Sequence, residues 1–450
     1  MMGKAIIISS NKDYLNKILK IAVPLILGNI ISQIQMLVDR AFLGHVNDMY
    51  MSALGNVNSP VWTSMSFAFS LGAGASILIS QSVGSGKKDD IELYAAALMK
   101  WSHVIPVILF FFWLFFGEKV FMLMGVSDTI LPMCMDYLKY YIPVFLVVGF
   151  ESSASVIMQT SNYTKPLVYY GLVRAGLNVL LDWILIFGKF GFPEMGIKGA
   201  AIATTIAEYL GCVYALMVFL MSKNIYTRPS FKAIVKASLK PYIKSVGLGI
   251  NTALEDFAWN FGNLILIRIL NTINEKAAGI YSIIFGIEVL AVVAIGSIGS
   301  ATMTLSGEAK GAGDVKQYKQ VCGIAYVLSV ICAVILLIVC LIMPERIISI
   351  FSNDGEVIQS GALYLLLMCV NLYGKSANII IGNSIRGSGD TKWMFITQIF
   401  GTFFVVGLAA LFVFVFKFGI AGVFLAVIVD ELVRAFVNLG KFRYITKTFV

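Results

Sequence analysis

The polar side chains that could do chemistry in this sequence lie inside long apolar runs. Asp39 follows the run PLILGNIISQIQMLV, Asn178 and Asp182 bound the segment NVLLD, and Thr204 ends the segment GAAIAT. We call these four residues the oxygen cluster. An ionisable group in the middle of a membrane-spanning helix costs about 2.5–3.5 kcal/mol on insertion scales. Residues retained at that cost are candidates for a functional site.

The members of the oxygen cluster are predicted to share one depth. At about 1.5 Å per helical residue, each lies roughly 6–15 Å below the outer membrane boundary. Two carboxylates, an amide and a hydroxyl are hard oxygen ligands, which suit a small cation such as Na⁺, or a proton shared by the two carboxyl groups. The alternative is that each residue pairs separately with a neighbouring helix, with Arg40 and Arg174 as partners.

A second charged group is predicted deeper in the membrane. Glu255 and Asp256 lie in the seventh predicted helix, and Lys375 lies in the tenth. Counting from the cytoplasmic ends places Glu255 and Lys375 at similar depth, so they are predicted to form either an ion pair or a secondary proton site. Pro24 removes a backbone hydrogen bond from the first helix and is predicted to act as a hinge that could move Asp39.

The composition requires a membrane protein. Hydrophobic residues make up 58% of the 450 residues and charged residues only 13%, whereas soluble domains carry about 25% charged residues. A membrane helix needs about 20 apolar residues, and it satisfies its own backbone hydrogen bonds in lipid. The apolar runs predict about twelve transmembrane helices, at residues 15–43, 52–82, 91–117, 134–158, 165–187, 196–221, 240–270, 277–307, 316–342, 358–384, 394–416 and 419–442.

The net charge of +9 does not indicate nucleic-acid binding, because the basic residues lie in short gaps between apolar runs. Both terminal segments and the gap after the sixth helix are basic, so the positive-inside rule places them in the cytoplasm. From Arg228 to Lys244 a basic residue recurs at every fourth position, as on one face of a helix. This pattern predicts an interfacial helix on anionic lipid headgroups, and a solvated basic linker is the alternative.

The two halves of the sequence repeat with an offset of about 223–227 residues. MQTSNYTKP at 158–166 corresponds to IRGSGDTKW at 385–393, and GSG at 84–86 corresponds to GAG at 311–313. Both halves begin on the same side, so the repeats are parallel and are expected to surround a central cleft. The predicted parts are an N-terminal six-helix bundle, a basic cytoplasmic linker and a C-terminal six-helix bundle, at residues 1–222, 223–240 and 241–450.

Taken together, these segments resemble the MATE family, the multidrug and toxic compound extrusion transporters, over roughly residues 12–445. The run PLILGNIISQIQMLVDRAFLG resembles the family's first helix, with its bending proline at Pro24 and its acidic residue at Asp39. NVLLD matches the Asn/Asp pair of members whose cation site lies in the N-terminal lobe, and Thr204 matches the threonine beside that pair. The resemblance implies that the oxygen cluster binds Na⁺ or a proton.

The C-terminal half departs from one pattern of that family. Glu255 stands where many members have a glutamate, and members that bind cations in this lobe typically add an acid in the tenth helix. The corresponding run at 363–384 contains no acidic residue and carries Lys375 instead. The N-terminal site is therefore the favoured one.

The resemblance implies a secondary active transporter that exports organic cations or drugs in exchange for Na⁺ or H⁺ by alternating access. It implies small-molecule and lipid partners, no cofactor beyond the coupling ion, a monomer, and a location in the cell membrane with cytoplasmic termini. No HExxH motif, paired cysteine or nucleophile motif indicates an enzyme. The alternative is a flippase for a lipid-linked or amphipathic substrate, but such proteins have strongly basic cavities, whereas acids outnumber bases in these helices.

Overall fold

The computed structural model describes residues 11–274, 276–352 and 354–449. Within those ranges the regular structure is helical and contains no β-strand. The α-helices are α1 (Asn11–Val46), α2 (Asp48–Gly84), α3 (Lys88–Trp101), α4 (Val104–Leu123), α5 (Leu131–Tyr141), α6 (Phe145–Thr160), α7 (Lys165–Ile186), α8 (Ile197–Met221), α9 (Phe231–Lys236), α10 (Leu239–Asn271), α11 (Ala277–Ala312), α12 (Val315–Ile342), α13 (Pro344–Ser349), α14 (Gly355–Gly387), α15 (Thr391–Ala410) and α16 (Gly419–Lys447).

The all-helical membrane architecture predicted from the sequence is confirmed. Ten helical segments in the described ranges are long and apolar enough to cross a membrane. Two further long helices, α10 and α16, have 33 and 29 residues and carry several charged side chains each. These twelve segments correspond one by one to the predicted helices, and α9 and α13 are short additions between them.

Two of the predicted transmembrane helices are built from two pieces. The third consists of α3 and α4, and the fourth consists of α5 and α6 joined by a 3₁₀ turn at Ile142–Val144. Pro106 and Pro143 stand at these interruptions. Proline has no N–H to donate and its ring collides with the carbonyl four residues earlier, which favours a kink or an interruption of the helix at these positions.

Aspartates fix the beginnings of three helices in the C-terminal half. Asp314, Asp354 and Asp390 each accept a hydrogen bond from a backbone N–H two or three residues later, at 2.9, 2.9 and 3.2 Å. These bonds satisfy amide groups that have no partner in the first turn of a helix, and a carboxylate there also interacts favourably with the helix dipole. The aspartates therefore set where α12, α14 and α15 start.

The chain forms two compact units. The first unit contains residues 24–79 and 88–249, and the second unit contains residues 11–23, 80–87 and 250–449. The core of the first unit is built around large buried aromatic residues such as Trp113 and Phe145. In the second unit α14 packs against α11, α12 and α16, and the core is mainly aliphatic.

The predicted linker at 223–240 is an ordered part of the first unit. The hydroxyl group of Tyr226 donates to the carbonyl oxygen of Thr160 at 2.9 Å, and Thr227 contacts Ser161 at 2.6 Å. Packing within the first unit extends to residue 249. The predicted bundle boundaries at 222 and 241 were placed by the sequence repeat, and they remain a prediction.

The basic residues from Arg228 to Lys244 do not lie on one continuous helix. The structure has the six-residue helix α9, then a break at Ala237 and Ser238, and then α10. The carbonyl oxygen of Ala237 cannot receive a helical hydrogen bond from Pro241, which has no N–H, and it accepts hydrogen bonds from the side chains of Lys100 and Trp101 at 3.0 and 3.3 Å instead. A four-residue charge period alone cannot reveal such a tertiary contact.

Helix α1 runs through Pro24 without interruption. Pro24 is the first residue of α1 that belongs to the first unit, whereas residues 11–23 belong to the second unit. The role of Pro24 as a hinge remains a prediction, and its position at the change of unit is consistent with it.

Helices α2 and α11 meet backbone to backbone within the second unit. A Cβ atom added at Gly84 would lie 1.8 Å from the carbonyl oxygen of Glu308, and one added at Gly311 would lie 1.8 Å from the carbonyl oxygen of Gln81. The two glycines occupy equivalent positions in the two repeats. The contact is therefore reciprocal, and neither position has room for a side chain.

We expect Gly84→Ala and Gly311→Ala to lower the melting temperature of the purified protein in detergent. Overpacking of this kind typically costs about 1–3 kcal/mol, and a backbone oxygen cannot move aside as a flexible side chain can. The matched control is Gly296→Ala on α11, where an added Cβ meets no atom within 4 Å. Equal melting temperatures for the three variants would show that the helices do not pack this closely.

Candidate functional site

Three helices of the first unit carry the oxygen cluster. Asp39 lies on α1, Asn178 and Asp182 lie one turn apart on α7, and Thr204 lies on α8. Helices α7 and α8 pack against each other, which brings their polar residues to one face. Asn178 and Asp182 are completely buried, with an exposed fraction of 0%.

The structure brings the four predicted residues together in two pairs, Asn178 with Thr204 and Asp39 with Asp182. The side-chain amide of Asn178 donates to the hydroxyl group of Thr204 at 3.2 Å, and that hydroxyl group donates to the carbonyl oxygen of Ala200 at 2.9 Å. The carboxyl groups of Asp39 and Asp182 are neighbours. A carboxylate is only an acceptor, so a hydrogen bond between these two groups requires a proton on one of them.

Tyr137 is a fifth member of the site, and sequence reasoning missed it. It lies on α5, it is buried, and its side chain is a neighbour of Thr204, Asp39 and Asp182. The chain has 19 tyrosines, and composition does not separate a buried one from those at the membrane interface. Depth was the signal that could have identified it, because Tyr137, Asp39 and Asp182 all lie near the outer ends of their predicted helices.

The site contains acceptor oxygens that have no hydrogen-bond donor among the described residues. They are Oδ1 of Asp39, Oδ1 of Asn178 and both carboxyl oxygens of Asp182. Buried polar atoms are normally hydrogen-bonded, because leaving one unpaired costs about 1–3 kcal/mol. These four acceptor oxygens therefore leave hydrogen-bonding capacity unused inside the first unit.

Arg174 lies one turn before Asn178 on α7, but its positive charge is shared with another acid. It forms an ion pair with Glu208 at 2.8 Å and donates to the hydroxyl group of Ser32 at 2.6 Å. Tyr170 also donates to Glu208, at 3.1 Å. The alternative prediction gave Arg174 as a partner of the oxygen cluster. The structure pairs it with Glu208 instead.

A cavity of about 150 Å³ lies beside this ion pair within the first unit. Its lining includes Pro24, Asn29, Glu151 and Arg174. The predicted hinge residue is thus on the wall of a polar cavity, in the same helix as Asp39.

The predicted ion pair between Glu255 and Lys375 is wrong. Glu255 pairs with Arg386 at 2.5 Å, and Lys375 pairs with Glu288 at 2.6 Å. Counting residues from helix ends failed because the ends of α10 and α14 are not level. Arg386, one residue from the end of α14, meets Glu255, which lies 16 residues into α10.

These ion pairs belong to a larger charged network inside the second unit. Arg434 contacts Asp430 at 2.8 Å and Glu431 at 3.2 Å, and Glu431 also accepts a hydrogen bond from Asn378 at 2.6 Å. The network lines a cavity of about 300 Å³, together with Trp259 and other apolar residues. Its acids are compensated by nearby bases, in contrast to the two aspartates of the first unit.

Comparison with known proteins identifies the family. The family model MatE matches residues 24–184 and 252–425, about three quarters of the chain. A probable multidrug resistance protein NorM from Thermotoga maritima is 27% identical, over 94% of this chain and 91% of the relative. A protein of the same description from Pasteurella multocida is 26% identical, over 90% and 87% of the two chains.

A solved structure described as MATE in the bent conformation superposes with a TM-score of 0.88 at 18% identity, covering 98% of both chains. At that identity the match concerns the fold. The fold, the helical membrane segments and the extent of the family match agree, and the chain belongs to the MatE family of membrane transporters and is not an enzyme.

Proposed function

We propose that this transporter exports organic cations or drugs from the cell in exchange for Na⁺ or H⁺, and that the oxygen cluster binds the coupling ion. Two relatives described as probable multidrug resistance proteins support drug export over the flippase alternative. The transporter would lie in the cell membrane with both termini in the cytoplasm, because the basic segments are concentrated on that side.

The observation that carries the proposal is a pair of carboxyl groups with no base of their own. Five other buried acids lie within ion-pair distance of a base: Glu208, Glu255, Glu288, Asp430 and Glu431. Asp39 and Asp182 have each other as neighbours instead. Two adjacent carboxyl groups cannot both ionise at low cost unless a cation or a proton lies between them.

The oxygen atoms present fit either ion. Na⁺ takes carboxylate, amide and hydroxyl oxygens, and Asp39, Asn178, Asp182 and Thr204 supply all three kinds. The same pair of aspartates could instead hold one proton. The coupling ion is cargo in both cases, and binding it would neutralise negative charge between α1 and α7.

Coupling requires that the ion favour one conformation of the transporter, because equal affinity for both conformations shifts nothing. We propose that α1 is the responding element. Asp39 lies 15 residues after Pro24, or about 22 Å along the helix axis. Neutralising Asp39 would allow α1 to bend at Pro24, which would shrink the polar cavity beside Pro24 and expel the substrate. The ion would then leave on the cytoplasmic side.

We expect Asp39→Asn and Asp182→Asn each to abolish gradient-driven export, while both variants stay folded in the membrane. Asparagine keeps the shape of the side chain and removes the charge that draws in the ion. Asn178→Ala and Thr204→Ala should weaken coupling less, because a neutral ligand contributes less than a charged one. The measurement is transport of a fluorescent organic cation in liposomes with an imposed Na⁺ or H⁺ gradient.

The matched control is Asp136→Asn on α5, a neighbour of Tyr137. Its carboxylate is half-exposed and pairs with Lys198 at 3.3 Å, and such surface pairs contribute only about 0–1 kcal/mol. Export by this variant should match the wild type. Wild-type export by both Asp39→Asn and Asp182→Asn would overturn the proposed coupling site.

The proposed orientation is tested by cysteine labelling in a background without native cysteines. A cysteine at Lys232 should react with a membrane-impermeant maleimide only after the cells are permeabilised. A cysteine at Lys189, in a loop predicted to be outside, should react in intact cells. The opposite labelling pattern would reverse the orientation.

A further inference from the structure

The segment between α8 and α10 contains basic residues of two kinds, and the first kind is structural. The guanidinium group of Arg228 donates to the carbonyl oxygens of Phe219 and Leu220 at 2.7 and 2.6 Å. These carbonyl groups belong to the last turn of α8, where no backbone N–H of the helix is left to bond them. Arg228 is therefore engaged in closing the end of a helix.

The second kind of basic residue is exposed. Lys232, Lys236 and Lys240 are all exposed, and none forms an ion pair with another described residue. No acidic residue occurs in the sequence between Glu208 and Glu255. The acid that does contact this segment, Glu92, accepts two hydrogen bonds from Ser230, at 2.6 and 3.2 Å. Three positive charges thus face outward without compensation.

An exposed apolar side chain precedes each of these lysines. Phe231, Val235 and Leu239 have exposed fractions of 81%, 57% and 43%, and Ile243 continues the series at 59%. Residues four apart lie on one face of a helix. Both α9 and the first turns of α10 therefore present an apolar edge beside a basic edge, which is the pattern of a segment that lies in a membrane interface.

The segment is held in a fixed position by hydrogen bonds within the first unit. The ammonium group of Lys100 donates to the carbonyl oxygens of Val235 and Ala237 at 2.7 and 3.0 Å. Helix α8, which is long and apolar enough to span a membrane, ends at Met221, ten residues before α9 begins. The start of α9 is thus ten residues along the chain from the end of a candidate membrane span.

We propose that α9 and the first turns of α10 form a binding surface for anionic phospholipid headgroups. Lys232, Lys236 and Lys240 contact the phosphates, and the four apolar side chains enter the layer beneath them. Charge complementarity and the exposed apolar edge together favour a bilayer surface over a soluble partner. A lysine near an anionic membrane surface strengthens binding about fivefold, so three lysines together contribute on the order of 100-fold.

The test uses the full-length protein in detergent, titrated with phosphatidylglycerol or phosphatidylcholine and followed by native mass spectrometry. The wild type should bind phosphatidylglycerol more tightly than phosphatidylcholine. The triple variant K232Q/K236Q/K240Q should lose on the order of 100-fold in affinity for phosphatidylglycerol and keep its affinity for phosphatidylcholine. The control K87Q/K88Q/K316Q removes the same charge from other exposed lysines and should keep the preference.

Two further titrations separate the parts of the proposal. The variant F231S/V235S should bind both lipids more weakly, because it removes the apolar edge and leaves the charges. Glycerol phosphate should bind the wild type far more weakly than phosphatidylglycerol does. The proposal is overturned if the wild type shows no lipid preference, if the triple variant keeps it, or if glycerol phosphate binds as tightly as the lipid and thereby reveals a site for free phosphate.

Discussion

Two carboxyl groups held in contact away from water, without a base of their own, constrain the first unit. Their repulsion is relieved only by a positive species, so the most stable form of this region includes one. Arg174 does not supply it as an ion pair, because its guanidinium group is held by Glu208 at 2.8 Å.

The two halves of the chain resolve the problem of buried charge differently. Glu208 and Glu431 are equivalent in the repeat, and each is compensated by an arginine, Arg174 or Arg434. Asp39 and Asp182 have no acidic counterpart at the corresponding positions of the second half. The acid at this shared position is thus paired with an arginine in both repeats.

Much of this architecture could be predicted from the sequence, because membrane helices are encoded locally in apolar runs. The oxygen cluster was also accessible, since Asn178 and Asp182 lie one turn apart on one helix and all four residues were predicted at one depth. Equal depth was not enough elsewhere, because contacts also depend on helix rotation and on unequal helix ends. The partners of Glu255 and Lys375 and the position of Tyr137 are of this kind. Each is determined by tertiary packing, which the periodicity of the local sequence does not indicate.

The reciprocal contact of Gly84 and Gly311 has a consequence for how variation in this protein should be interpreted. Glycine is the one amino acid without a Cβ atom, so every missense change at either codon introduces an atom where a backbone oxygen already lies. A map of deleterious variants would therefore mark both positions strongly, although neither contacts the ion site. In such a map, intolerance to substitution at these two positions would reflect the close spacing of two helices. The residues proposed to bind the ion would have to be recognised by their chemistry.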